Sequence, residues 1–286
     1  MYHNRPKYVL NQKGRATELS KPWIMGVINV TPDSFYAGSR KENRKDVLVE
    51  VRRMISEGVN IVDLGAMSSK PGAEILSADK EWERLEGIVS EIKAEWPNLP
   101  LSIDTLHAKT ASRALSVGAD WINDISGGTY DKEMAAVVAA ADAPFVCMHM
   151  RGEPKNMQKE TNYLDIVSDL YVYISRRIRA LRAEGVKDII IDPGFGFAKT
   201  IEQNFELVGS LHLFHSLDCP ILVGVSRKSM IYKTLDIKPE EALNGSTVLH
   251  AIALAQGVHV LRVHDVREAR EASLLMEKVS DFKSFP

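Results

Sequence analysis

Asp104, Asn123 and Asp192 each follow a short apolar run, at 101–103, 121–122 and 189–191 of the 286-residue sequence. Two carboxylates and an amide converging from three strands would present acceptors together with an amide donor, which suits the donor-rich edge of an amino-heterocycle. The competing reading is that such residues cap the helices that follow. Capping is the preferred reading for Asp63 and Asp124, and ligand binding for Asp104, Asn123 and Asp192 taken jointly.

A second set is cationic: Lys70, Lys228, Arg262 and His264. Four cations on one rim, with a helix N-terminus nearby, suit a phosphate or diphosphate. Arg262 alone could equally be half of a salt bridge. Arg227, next to Lys228, must point elsewhere and reads as structural. The loop Asp192-Pro193-Gly194-Phe195-Gly196-Phe197 alternates glycine and phenylalanine. Glycine lets backbone approach a ligand and a ring can flank a planar one; a tight turn with phenylalanines in the core would use the same residues. His149 has apolar neighbours and reads as a structural histidine. Phosphate-binding P-loop, dinucleotide, serine-elbow and zinc-protease motifs are absent.

The elements that must position these residues are eight apolar runs, at 24–28, 61–64, 101–103, 121–122, 145–148, 189–191, 221–225 and 260–263. Each is continuous, as in strands covered on both faces. Helical spacing lies between them: Val47, Val51, Met54 and Ile55; Trp82, Leu85, Ile88, Val89 and Ile92; Ile166, Leu170, Ile174, Ile178 and Leu181. Gly58, Gly118, Gly185 and Gly257 stand where helices end, before every second strand, as left-handed caps. The alternation predicts an α/β fold, a single-domain (β/α)8 TIM barrel, in preference to a doubly wound open sheet. The expected division is an N-terminal extension at 1–21, the barrel at 22–280 and a tail at 281–286. Residues 8–19, turning at Lys13-Gly14, read as a hairpin covering the barrel's bottom.

Composition narrows the function classes. A hydrophobic fraction of 45% and a charged fraction of 26% fit a globular chain, and a net charge of −2 gives no global pull toward nucleic acid or a membrane surface. No apolar run approaches the roughly 20 residues of a membrane span, and the first 21 residues lack the pattern of a secretory signal. Cys147 and Cys219 lie in apolar stretches and read as buried thiols, which fits a cytoplasmic location.

Taken together, seven segments resemble the dihydropteroate synthase family of pterin-binding barrels: Met25 through Thr31-Pro32-Asp33-Ser34-Phe35, Ile103-Asp104-Thr105, Ile122-Asn123-Asp124-Ile125-Ser126-Gly127-Gly128, Met148-His149-Met150-Arg151-Gly152, the Asp192 to Phe197 loop, Ser226-Arg227-Lys228-Ser229 and Arg262-Val263-His264-Asp265. They stand in family order at family spacing. The resemblance implies an enzyme that joins 4-aminobenzoate to 6-hydroxymethyl-7,8-dihydropterin diphosphate, with Mg2+ on the diphosphate, usually as a homodimer. It implies pterin contacts at Asp104, Asn123, Asp192 and Lys228 in a pocket lined by Met148, Phe195 and Gly224. Asn29, Arg262 and His264 correspond to diphosphate and magnesium contacts, Asn29 being the metal ligand. Lys228, Ser229, Phe195 and Pro71, with a mobile loop carrying Asp33 and Phe35, correspond to the aminobenzoate site. The catalytic set implied is Asp104, Lys228, Arg262 and His264. One stretch departs from the family pattern: Ser68-Ser69-Lys70-Pro71-Gly72 stands where Ser-Thr-Arg-Pro-Gly is usual. Ser69 keeps the hydroxyl, whereas Lys70 keeps charge without the planar fork of arginine. A corrinoid-dependent methyltransferase barrel is the rival within the same fold, and a non-catalytic pterin-binding protein the rival outside it.

Overall fold

The structure, a computed structural model, describes residues 5–12, 14–30, 40–67, 75–152, 155 and 157–281. Strands β1 (Val9–Gln12) and β2 (Arg15–Glu18) pair antiparallel as the expected hairpin, turning at Gly14 with φ +81°. The parallel strands are β3 (Trp23–Asn29), β4 (Ile61–Gly65), β5 (Leu101–Asp104), β6 (Trp121–Asp124), β7 (Phe145–Met148), β8 (Ile189–Asp192), β9 (Leu222–Val223) and β10 (Val260–Val263). They run in chain order from β3 to β8, while β10 pairs with β3 on one side and β9 on the other. A parallel bridge between Ile191 and Ile221 joins β8 to the segment entering β9, so the ring closes. The barrel expected from the alternation is therefore the fold, and the open sheet is not. The seventh strand is shorter than its 221–225 run, leaving Gly224 beyond its end.

Helices α1 (Arg40–Ser56), α2 (Ala78–Leu85), α3 (Ile88–Glu95), α4 (Ala108–Ser116), α5 (Met134–Ala140), α6 (Ile166–Ala183), α7 (Ile201–Ser210), α8 (Ser229–Thr234), α9 (Leu243–Ala255) and α10 (Val266–Asp281) form the outer layer. Their apolar stripes pack on the outer faces of the strands; on α6, for example, Ile166, Leu170, Ile174, Ile178 and Leu181 are all buried. The periodic stretch from Trp82 to Ile92 is divided between α2 and α3. Gly87 takes φ +82° there, and a Cβ on it would strike the Arg44 guanidinium at 2.7 Å. The four capping glycines adopt the left-handed backbone for which they were singled out, from φ +85° at Gly257 to +119° at Gly118.

The barrel's bottom is sealed by the hairpin. Leu10 and Leu19 are buried against Met25, Ile61, Trp121, Val146, Ile190, Leu222 and Val260, drawn from seven barrel strands. Each leucine contributes about 1.5–3 kcal/mol by leaving water, and the Asn11 backbone N–H pins the hairpin by donating to Asp188 Oδ2 at 2.8 Å. With this end covered, the polar residues that end the strands stand at the opposite, C-terminal end of the barrel. Among the described residues, no helix is long and apolar enough to cross a membrane.

Candidate active site

Strand register builds the first part of the site. Asn29 pairs with Gly65, Gly65 with Asp104, and Asp104 with Asn123, so one row across β3 to β6 carries amide, gap, carboxylate and amide. Gly65 is the gap: a Cβ there would lie 3.3 Å from Asp104 Cβ and 3.7 Å from Asn29 Oδ1. Its lack of a side chain keeps Asn29 and Asp104 within reach of a common ligand. Across the barrel, Asp192 stands opposite Met148 in the β7–β8 register. Asp104, Asn123, Met148 and Asp192 are all buried.

Arg262 reaches in from β10 and donates through Nε to Asp63 Oδ2 at 2.7 Å and through Nη2 to Asp104 Oδ2 at 2.8 Å. Asp63 Oδ2 also accepts from Asn123 Nδ2 at 3.0 Å. Asp63 is therefore not a helix cap: it is the third residue of β4, fully buried, and it ties the arginine to the amide. The sequence did hold a signal for it, because a charge within the run Ile61-Val62-Asp63-Leu64 must find a partner when both faces are covered. Asp124 is not a helix cap either. It accepts from Ser126 N, Ser126 Oγ and Gly128 N, shaping the turn after β6 well before α5 begins.

Burial raises the carboxyls of Asp104 and Asp192, opposed by Arg262 in the first case and by the Gly194 N–H in the second. Two buried acceptor atoms, Asp63 Oδ1 and Asn123 Oδ1, have no hydrogen-bond partner among the described residues. Such orphans cost about 1–3 kcal/mol each, so a ligand offering N–H donors here would relieve a real penalty.

The second part lies across the axis. Lys228 Nζ stands 4.5 Å from the centre of the Phe197 ring, and its Cδ packs over Gly196, where a Cβ would approach to 3.2 Å. Burial, with Arg262 nearby, lowers the Lys228 ammonium to about 8. Phe195 is placed differently: its ring lies in the hydrophobic layer between strands and helices, 1% exposed. Phe197 faces Lys228, whereas Phe195 is packed into that layer. Phe195 was expected in the lining of the site; the ring that stands beside Lys228 is that of Phe197. Residue type alone could not have separated the two rings.

The remaining cations divide as follows. Arg227, at φ +53°, forms a two-pronged pair with Asp265 at 2.8 and 2.9 Å, the structural role expected of it. His264 is exposed at the mouth, its backbone N and Nδ1 lying 3.3 and 3.2 Å from Ser226 Oγ. Gly224 leaves room beside the Arg262 backbone, and Ser229 begins α8. His149 is buried, with Nδ1 3.0 Å from Lys199 Nζ, in keeping with a structural histidine. Asp33, Phe35, Ser69, Lys70 and Pro71 lie outside the described residues.

No cluster of three or more His, Cys, Asp or Glu side chains suited to a metal occurs among the described residues. Asn29 over the Gly65 gap offers a single carbonyl oxygen. That fits Mg2+, which commonly takes one or two protein oxygens and completes its octahedron with water and substrate phosphate.

Comparison with known proteins agrees with this geometry. The family described as pterin binding enzyme matches residues 25–264. A dihydropteroate synthase of Synechocystis sp. is 40% identical over 264 residues, 91% of this chain and 90% of its own length. Among solved structures, Yersinia pestis dihydropteroate synthase with a sulfonamide drug complex superposes with a TM-score of 0.89 at 35% identity, over 96% of this chain and 100% of that one. Thermus thermophilus dihydropteroate synthase in complex with 4-aminobenzoate does so with a TM-score of 0.85 at 34% identity, over 95% of this chain and all (100%) of that one.

Proposed function

This chain belongs to the pterin-binding enzyme family, and on that premise we propose how its residues perform the synthase reaction. The activity is that of a dihydropteroate synthase, a transferase of folate biosynthesis. It condenses 4-aminobenzoate with 6-hydroxymethyl-7,8-dihydropterin diphosphate, giving 7,8-dihydropteroate and diphosphate. The observation that carries the residue assignment is the buried acceptor row of Asp104 and Asn123, with Asn123 Oδ1 lacking a partner.

The pterin's amino and ring N–H groups donate to Asp104, Asn123 and Asp192, with Met148 against its face. Arg262, His264 and Asn29 hold the diphosphate. In this arrangement Arg262 exchanges part of its contact with Asp63 and Asp104 for phosphate oxygens, which frees Asp104 to receive the pterin. The C–O bond between methylene and diphosphate breaks, and the leaving group takes the electron pair. The methylene cation is stabilised by the Asp104 carboxylate below it. The arylamine nitrogen forms the new C–N bond and gives up its proton to solvent. Lys228 and Phe197 form the wall against which 4-aminobenzoate lies, with Ser229 at its edge. Pro71, Ser69, Lys70, Asp33 and Phe35 are proposed for the loops that close over it and exclude water. Asn29 would hold Mg2+, which, when bound, neutralises diphosphate charge and makes it a better leaving group.

A homodimer is supported by exposed apolar side chains on neighbouring helices: Phe205 on α7, Val248 and Ile252 on α9, and Leu275 on α10. The buried, unpaired thiols of Cys147 and Cys219 support a reducing, cytoplasmic setting.

The deciding experiment follows diphosphate release and dihydropteroate formation in parallel, with both substrates and Mg2+. Matched yields are expected. Pterin binding with neither product would overturn the reading, and cobalamin-dependent methyl transfer from methyltetrahydrofolate would replace it with the methyltransferase.

A further inference from the structure

Lys199 is a buried lysine, 4% exposed, for which the mechanism above has no use. Among the described residues, no carboxylate is in ion-pair contact with its ammonium. Instead, Nζ lies 2.8 Å from Gly194 O, 2.9 Å from Phe197 O and 3.0 Å from His149 Nδ1, so each N–H has an acceptor. With Lys199 protonated, Nδ1 is the acceptor and the imidazole proton sits on Nε2.

The loop wound around this ammonium has an uncommon backbone. Gly194, Gly196 and Ala198 take φ of +73°, +79° and +51°, so every second residue is left-handed. A Cβ on Gly194 would collide with His149 O. These turns aim the carbonyls of Gly194 and Phe197 inward, to Lys199. Neighbouring groups are tied down as well: Tyr163 donates to Ala198 O at 3.0 Å, Gly196 N donates to Asn204 Oδ1 at 2.8 Å, and the His149 ring stands edge-on to Tyr173.

We propose that Lys199 is a positioning residue for the aminobenzoate half of the site: its ammonium fixes residues 194–197, and these set the Phe197 ring and the Gly196 floor on which Lys228 rests. The proposal rests on the synthase reading. It predicts a larger effect on 4-aminobenzoate than on the pterin, because the pterin acceptors Asp104 and Asn123 stand on β5 and β6, away from the Lys199 contacts, and Asp192 alone of the three adjoins the loop, accepting from Gly194 N at 2.7 Å.

The loss of Lys199 should therefore separate the two substrates. Lys199→Met keeps the side chain's length and removes its donors. It is expected to raise the KM for 4-aminobenzoate by about tenfold or more, and to leave the KM for the pterin diphosphate within about threefold. Lys199→Gln, which retains an N–H pair, is expected to recover part of the aminobenzoate effect. Both are compared with wild type in thermal melting and steady-state kinetics. If Lys199→Met does not fold, the ratio of the two KM shifts is read from Lys199→Gln alone. A lower melting temperature with both KM values unchanged, or with both raised equally, would make Lys199 purely structural and overturn the proposal. A wild-type chain that forms no dihydropteroate defeats the synthase reading itself, before either variant is compared.

Discussion

Arg262 and Asp63 form a buried ion pair at 2.7 Å, and the carboxylate oxygen that binds the guanidinium also accepts from Asn123 at 3.0 Å. One side chain thus sets the orientation of two others, which in the binding proposed above take different halves of the substrate, Arg262 the diphosphate and Asn123 the pterin. An ion pair this deep is a weak source of stability as such, since desolvation offsets attraction. Its value here is geometric.

Asp63→Asn should accordingly damage catalysis although Asp63 is not proposed to touch substrate. Breaking a buried pair from one side costs about 3–5 kcal/mol, here partly offset because Arg262 keeps Asp104. We expect a lowered urea midpoint together with a loss in kcat/KM for the pterin diphosphate on the order of 100-fold. Wild-type kinetics in a destabilised protein would show that Arg262 and Asn123 are oriented without it.

Asp104→Asn separates charge from shape. The amide can still bond to the pterin and to Arg262, but it cannot stabilise a methylene cation. The expected result is a fall in kcat on the order of 100- to 1,000-fold with pterin diphosphate affinity, measured by titration calorimetry, changed far less. Equal losses in both would remove the cation-stabilising role. Arg262→Ala is the poorer probe. It strands Asp63 and Asp104 without their counter-charge, and Arg262→Lys is the variant in which weakened diphosphate binding can be read.

Most of this arrangement was legible in the sequence. Continuous apolar runs meant strands covered on both faces, and the polar residue ending each run had to emerge at the mouth; Asp104, Asn123 and Asp192 followed directly. Partner choice did not follow. Asp63 read as a cap although Leu64 beyond it marks an interior position, and its partner was out of reach because only the ring's closure brings β10 opposite β4 and β5. Phe195 and Phe197 were indistinguishable because the left-handed turns at Gly194 and Gly196 decide which ring faces inward. Lys199 carried no signal: a lysine after a loop is ordinarily solvated, and its burial appears only once that loop has folded around it.

Lys228 gives the reaction a pH dependence of definite sign. Arg262, Asp192 and Asp104 face its ammonium, and burial lowers it to about 8 from an ordinary 10.5. Below about 8 the folded and unfolded chains both hold the proton and the cost of burying the cation is fully present. Between 8 and 10.5 the unfolded chain holds a proton that the folded one lacks, so this group makes stability rise with pH. Activity that needs the cation moves the other way. We expect kcat/KM for 4-aminobenzoate to fall above about pH 8. Lys228→Met should flatten the rise in melting temperature over the same window. A kcat/KM profile level to pH 9.5, roughly a unit and a half above that midpoint, would remove the cation from the aminobenzoate step.

The two phenylalanines of the loop supply the sharpest contrast. Phe197→Ala removes the ring beneath Lys228, a contact worth about 0.5–2 kcal/mol, or roughly 2- to 30-fold in affinity. It should raise the aminobenzoate KM by that factor with a modest stability cost. Phe195→Ala empties a site within the strand–helix core, at about 3–5 kcal/mol, and should leave the KM of the protein that still folds unchanged. Phe195→Leu keeps most of the volume if the alanine variant does not fold. Denaturant midpoints and aminobenzoate KM values for all three decide the matter. If Phe195→Leu shifted KM while Phe197→Ala did not, the loop would have to present its other face to the substrate, and the Lys228–Phe197 contact could not be the aminobenzoate wall.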